Sequence, residues 1–316
     1  MRIRENVRLL LEFTHLLQKY RYARYRLPHW PKVKALRWYR ALQIEKTAPV
    51  STAPVNGDGL NVLYVTGPRQ VTDLLYSAKS VAANLARPFS MTVYGDKHLG
   101  PVDADRIARH FPHADVWTKA RRDEVVLPDL AKADLHRCIE FREKLPMAAK
   151  IIDAKLLLSG DAFVLLDTDT VALRPLSIFE DMVEKADGCI FGKDADNAYV
   201  FPYEELESRF RVRVVPQINT GLFYVRKEIL DLQQVEEWLS MPGFDMSNGW
   251  AEQTIIAALA SKGTVRYFPE DRYDMGSRSH TFAREFVHYC GMKPGPVEVE
   301  MLRVGQGAAL RAMEHE

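Results

Sequence analysis

Apolar and polar positions change their pattern near residue 60, where short apolar runs begin to alternate with stretches of helical periodicity. Leu60-Asn-Val-Leu-Tyr-Val65, bounded by Gly67-Pro68, predicts a buried strand. Leu74, Ala78, Val81 and Leu85 then recur at i, i+4, i+7 and i+11, one face of a helix. Met91-Thr-Val-Tyr94 predicts a second strand, ending at Gly95-Asp96; a helix near 103–111 and a strand over 114–117 continue the series. Helical periodicity returns over 147–158 and leads into Ala162-Phe-Val-Leu-Leu166, the most strand-like run of the chain. Ser177-Ile-Phe-Glu180 has the form of a capping box opening another helix. Beyond it the pattern gives a strand over 220–225, helices near 228–239 and 251–261, and a strand over 265–268. Strands separated by helices imply right-handed βαβ crossovers, so the expected class is α/β with a mostly parallel sheet.

The region before residue 60 is different. Residues 1–46 carry twelve Lys/Arg against three Asp/Glu, while the whole chain is only +1, so the remainder is acidic. Leu9, Leu10, Phe13, Leu16 and Leu17 form a helical face, and Tyr20, Tyr22, Tyr25, Trp30, Trp38 and Tyr39 are interleaved with the basic residues. Residues 47–59 are rich in Pro, Gly, Ser and Thr and read as a linker. The expected organisation is a basic helical arm (1–46), a linker (47–59), a body (60–295) and a C-terminal tail (296–316). Basic and aromatic side chains together suit an anionic membrane surface. The alternative is that the arm packs on the body or on another subunit. No nucleic-acid partner is expected.

Nothing in the sequence approaches the ~18 apolar residues of a membrane span. The first residues lack the apolar core of a secretory signal, and Cys138, Cys189 and Cys290 offer neither a C-x-x-C pair nor an even count. A cytoplasmic protein, peripheral on the inner membrane face, is the expectation.

Asp167 and Asp169 follow the 162–166 strand directly, and ligands of open α/β sheets bind at strand carboxyl ends. Two carboxylates one residue apart can reach the same hard cation, which bridges them to nucleotide phosphates. They can equally be turn aspartates. Asp167-Thr-Asp-Thr-Val also fits a phosphohydrolase of the haloacid-dehalogenase type, with Asp167 as nucleophile and Glu270-Asp271 as its later acidic pair. A sugar-nucleotide nucleotidyltransferase would use Gly67-Pro-Arg69 as its phosphate loop, and a non-catalytic nucleotide-sugar-binding module is a further class.

Four segments in order resemble GT-A glycosyltransferases, especially family eight, which includes glycogenin and lipopolysaccharide galactosyltransferases. They are Val164-Leu-Leu-Asp-Thr-Asp-Thr-Val-Ala-Leu-Arg-Pro-Leu176, Asn219-Thr-Gly-Leu-Phe-Tyr-Val225, Glu252-Gln-Thr-Ile-Ile256, and His288-Tyr-Cys-Gly291 with Lys293-Pro294. This resemblance implies a GT-A, Rossmann-like mixed sheet over 60–295 and a hexosyltransferase of the retaining kind. It implies that Asp167, Asp169 and His288 hold manganese, with magnesium as the alternative. It places Thr66, Lys150, Asp167, Asp194, Asn219, Gly221, Gly291 and Lys293 on a nucleotide-sugar donor, a UDP-sugar. Glu252 and Gln253 fall beside the reacting carbon, and the acceptor is a glycan or a lipid-linked sugar. Where the family usually carries an acidic residue and a tyrosine for the base, this chain has Gly67-Pro-Arg-Gln70.

Overall fold

The computed structural model describes residues 29–53, 60–276, 284–290 and 297–304. The apolar face at 9–17, Gly291 and Lys293 lie outside the described residues. Ten described strands form two sheets: β1 (Leu60–Thr66), β2 (Phe89–Gly95), β3 (Asp115–Trp117), β4 (Ala162–Leu166), β5 (Thr170–Ala172), β6 (Cys189–Lys193), β7 (Ile218–Arg226), β8 (Val265–Tyr267), β9 (Tyr273–Met275) and β10 (Phe286–His288). The larger sheet has the order β3-β2-β1-β4-β7-β6-β8, the smaller β5-β10-β9. Strands β1 to β4 of the large sheet are parallel, β6 and β8 are parallel to each other, and β7 runs antiparallel to both of its neighbours.

The helices are α1 (Trp30–Ile44), α2 (Val71–Ala82), α3 (Pro101–His110), α4 (Lys119–Lys132), α5 (His136–Lys144), α6 (Ile152–Leu157), α7 (Ser177–Glu184), α8 (Tyr203–Phe210), α9 (Leu232–Leu239) and α10 (Ala251–Ala260), with residues 297–304 as α11. They cover both faces of the sheet, which explains why its central strands are buried along nearly their whole length and why β4 is apolar at every position. Alternate residues of β1 show the division. Leu63 and Val65 join a core with α5, α9 and α10, whereas Val62 and Tyr64 join a second core with α2, α3 and α7. A third, smaller core combines Val33 of α1, Val171 of β5, Val287 and Tyr289 around β10, and Met301 and Leu302 of α11. The two ends of the described chain therefore meet on the small sheet.

Helix α1 is tied down by charge as well. Arg40 is buried and pairs with Asp73 of α2, and Arg37 bridges Asp73 (3.2 Å) and the buried Glu298 of α11 (2.9 Å). Residues 47–53 run along the body: Val50 N–H donates to the His110 carbonyl and Ala53 N–H to that of Phe89, each at 2.8 Å.

Two local expectations are corrected. The helix over 147–158 is split into a 3-10 turn, Pro146–Lys150, and α6, so Lys150 sits on the turn. The capping box at Ser177 does not form: the residue before α7 is Leu176, and Glu180 instead accepts from the backbone N–H groups of Ala86 and Arg87. No helix among the described residues is long and apolar enough to cross a membrane.

Candidate active site

The Asp167-Thr-Asp169 segment is the turn between the two sheets. Asp167 N–H donates to the Gly221 carbonyl of β7 (2.8 Å), and Thr170 Oγ1 closes the turn by donating back to the Asp167 carbonyl (2.7 Å). The chain then enters β5, which pairs Thr170 with His288 of β10. That register carries the imidazole to the carboxylates: His288 Nε2 lies 3.2 Å from Asp169 Oδ1 and 3.7 Å from Asp167 Oδ2. One ligand atom from each of the three residues falls within 4.8 Å of the others. Residues far apart in sequence are brought together by a three-residue strand pair.

The orientation of His288 follows from its neighbour. Gly221 N–H, which can only donate, points at Asn219 Oδ1 (2.9 Å), while Asn219 Nδ2 donates to Asp194 Oδ1 (2.7 Å). Asn219 Oδ1 is thus an acceptor, and the His288 Nδ1 atom 2.8 Å away carries the proton. The Nε2 lone pair is left facing the two carboxylates. One imidazole and two carboxylates form a set that fits a divalent cation.

Gly221 permits this arrangement sterically. A Cβ built there would lie 2.0 Å from His288 Cε1 and 2.5 Å from both ring nitrogens. Only a residue without a side chain lets the imidazole lie on β7.

Around Asp167 lies a second tier of buried polar groups. Lys150 is buried; its Nζ donates to the Thr220 carbonyl (2.9 Å) and lies 3.0 Å from Asp167 and 3.9 Å from Glu252. Burial works against its charge, but Asp167 and Glu252 outweigh it and hold the ammonium above its ordinary pKa. Glu252 and Gln253 enter on the first turn of α10, and Thr220 Oγ1 lies 3.1 Å from Glu252 Oε2 and 3.3 Å from Gln253 Oε1. Burial pushes the Glu252 carboxyl up to about 7, with Lys150 pulling the other way. Asp194 is also raised by burial, despite accepting from Asn219 and Gln253. Thr66 is buried at the end of β1 and donates to the Gly67 carbonyl (3.3 Å).

A cavity of about 580 Å³ opens at the carboxylates, lined by Asp167, Thr168, Asp169, Val65, Arg69, Gln70, Asp73, Met147, Trp30, Arg37 and Met301. That volume is in the range of small-molecule sites. The sequence motifs assign no site role to Thr220 or to the α1 and α11 residues, and Arg69 and Gln70 enter the sequence reading only as the segment after the first strand. Thr220 stands inside the Asn219-Thr-Gly221 motif, whereas nothing in the sequence joins α1 to this cavity.

No family model matches the sequence, and a search of curated proteins gives no match either. Solved structures do match. An active-site mutant of LgtC superposes with a TM-score of 0.53 at 13% identity, over 78% of this chain and 95% of that one. The chain has the GT-A glycosyltransferase fold. The galactosyltransferase LgtC in complex with donor and acceptor sugar analogues gives 0.48 at 14% identity, over 78% and 96% of the two chains. Mouse xyloside xylosyltransferase 1 gives 0.47 at 9% identity, over 76% and 98%. Glu270, of the acidic pair that the phosphohydrolase reading requires, is a surface residue paired with Lys193 (2.6 Å).

Two expectations follow. Gly221→Ala forces the His288 ring off β7, and overpacking of this kind costs about 1–3 kcal/mol; calorimetric unfolding should show a lowered Tm, and an unchanged Tm contradicts the packing described. Glu252 has a folded pKa above its ordinary 4.5, so its contribution to stability is present at low pH and is lost as pH rises through about 7. In metal-free denaturant titrations at pH 5 and pH 8, Glu252→Gln should therefore reduce the fall in stability between the two. An identical fall in both proteins contradicts this.

Proposed function

We propose that this protein is a metal-dependent retaining glycosyltransferase, a distant member of family eight. It moves a hexose from a nucleotide-sugar donor, a UDP-sugar, to a glycan or lipid-linked acceptor. One observation carries the reading: Asp167, Asp169 and His288 converge at the mouth of a cavity of about 580 Å³ at the carboxyl end of β4, in a GT-A fold. The division into arm, linker, catalytic body and tail belongs to the same reading.

Asp169 and His288 would hold manganese, or magnesium, directly, and Asp167 would serve both the metal and the donor ribose. When bound, the cation neutralises charge that builds on the departing diphosphate. Lys150, itself buried, lies 3.0 Å from Asp167 and sets a fixed positive charge beside it. By the family resemblance, Lys293 would hold the leaving diphosphate as a point charge, with Gly291 also on the donor. Asn219 orients His288, Gly221 gives it room, Asp194 takes sugar hydroxyls, and Thr66 borders the nucleoside.

In the transfer itself the bond from the anomeric carbon to the phosphate oxygen breaks, and a bond to an acceptor hydroxyl oxygen forms. The hydroxyl proton passes to the leaving diphosphate. Glu252 and Gln253 stand beside the anomeric carbon, where the positive charge of the oxocarbenium-like transition state is stabilised. Glu252 Oε1 is buried with no hydrogen-bond partner among the described residues and has the Lys150 ammonium 3.9 Å away.

The membrane surface also belongs to this reading. Among the described residues, the large exposed apolar side chains include Trp38, Tyr39 and Leu42 of α1, with Trp38 66% exposed. Lys32, Lys34 and Lys46 are exposed on the same short segment. Aromatic rings with flanking lysines suit an anionic headgroup layer, at roughly 1 kcal/mol per basic residue.

Asp169→Asn should leave the melting behaviour near that of the wild type and reduce Mn²⁺-dependent donor hydrolysis by about a hundredfold or more. Wild-type turnover of donor in EDTA contradicts the assignment. Full-length protein should co-sediment with phosphatidylserine vesicles in a salt-sensitive manner, and a Trp38→Ser, Tyr39→Ser, Leu42→Ser variant should remain in the supernatant. Equal pelleting of both, or of neither, contradicts docking through α1.

A further inference from the structure

The cavity at the carboxylates is not built by the α/β body alone. Trp30 and Arg37 reach it from α1 and Met301 from α11, both outside the segments that resemble a glycosyltransferase. Helix α1 is held there by one apolar contact and two arginines that share Asp73. Val33 is buried in the small core with Val171, Val287 and Leu302; Arg40 pairs with Asp73 and lies over the Tyr76 ring at 4.2 Å. Arg37 completes the clasp, its Nη1 on Asp73 and its Nε and Nη2 on Glu298 Oε1 (3.1 and 2.9 Å). The arrangement is a built wall rather than an arm resting on a surface.

What faces this wall is the turn after β1. Gln70 Oε1 accepts from Gly67 N–H (3.3 Å), which aims the side chain and leaves its amide nitrogen for another partner. Arg69 is exposed, lines the cavity, and has no ion pair among the described residues. Arg37, by contrast, is neutralised by two carboxylates. The turn lacks an acidic residue and an aromatic ring; the cavity nevertheless has an aromatic ring, the half-exposed indole of Trp30.

We infer that helix α1 is a working wall of the nucleotide cavity, and that Trp30 with Arg69 holds the nucleoside portion of the donor. This rests on the glycosyltransferase reading above and adds the element that grips the base. An indole face stacks on any nucleobase, and a planar guanidinium stacks and donates in the same plane. Base stacking of this kind is worth about 1–3 kcal/mol by alanine substitution, so the loss of Trp30 weakens a nucleotide by about tenfold or more. The clasp through Arg37 and Arg40 then has a reason: it fixes a ring that must meet a ligand bound to the body.

The experiment is isothermal titration of full-length protein with Mn²⁺ present. The ligands are uridine, cytidine, guanosine and adenosine diphosphates, with inorganic pyrophosphate as a ligand that has no nucleoside. Trp30→Ala and Arg69→Gln should each weaken the tightest nucleoside diphosphate by about tenfold, leave pyrophosphate within about twofold, and melt near the wild-type temperature. Trp30→Phe, which keeps a stacking face, should restore most of the loss. Unchanged nucleotide affinity in Trp30→Ala overturns the inference while leaving the glycosyltransferase reading intact. So does an equal loss for nucleotide and pyrophosphate. Binding of neither ligand by the wild-type protein instead overturns the glycosyltransferase reading, and this inference with it.

Discussion

The side-chain amide of Asn219 is the constraint from which the site follows. Its oxygen receives Gly221 N–H and His288 Nδ1–H, and its nitrogen is committed to Asp194. With both ends bound to fixed partners the amide cannot turn over, and the imidazole is locked with its Nε2 lone pair toward Asp167 and Asp169. The bond to Asn219 fixes which ring nitrogen carries the proton, and it joins the antiparallel strand of the large sheet to the last strand of the small one.

A second constraint is electrostatic. Asp167, Asp169 and Glu252 bring negative charge into a region from which much of the water is excluded, and Lys150 is a buried cation set among them. Its ammonium is also anchored to the Thr220 carbonyl, so it cannot swing away. Glu252 remains the strained member, buried and raised to about 7. A carboxyl kept close to its titration range next to a fixed lysine can respond to charge arriving or leaving nearby. A fully exposed one would be buffered by solvent.

Much of this is legible in the amino-acid pattern. The strand over 162–166 is readable because both of its faces are buried, so it has no polar position to blur the run, and the Asp pair at its end follows from where α/β sheets bind ligands. The segments at 219–225, 252–256 and 288–291 stand out by resemblance. The reason for Asn-x-Gly does not: it supports a histidine, which only the pairing of β5 with β10 reveals. Strands of three residues such as β5, β9 and β10 are too short to carry a period, and the charged α4 and α5 bury too few apolar residues to declare themselves. The apolar spacing over 147–158 is helical and would put Lys150 on a helix, but Pro146 opens a 3-10 turn and the chain breaks at Ile151. The role of helix α1 is illegible for a different reason. Its buried side is Val33, Arg40 and Ile44, and the partners of Arg37 and Arg40, Asp73 and Glu298, are distant in sequence.

The central claim is that Asn219 presents the Nε2 atom of His288, together with two carboxylates, to a divalent cation. Pulsed electron paramagnetic resonance of the Mn²⁺-loaded protein reads nitrogen ligation directly. The account predicts a ¹⁴N modulation typical of one bound imidazole, lost in His288→Ala and strongly altered in Asn219→Ala. Manganese bound by the wild-type protein with no nitrogen coupling, or with a coupling that His288→Ala leaves in place, would contradict it.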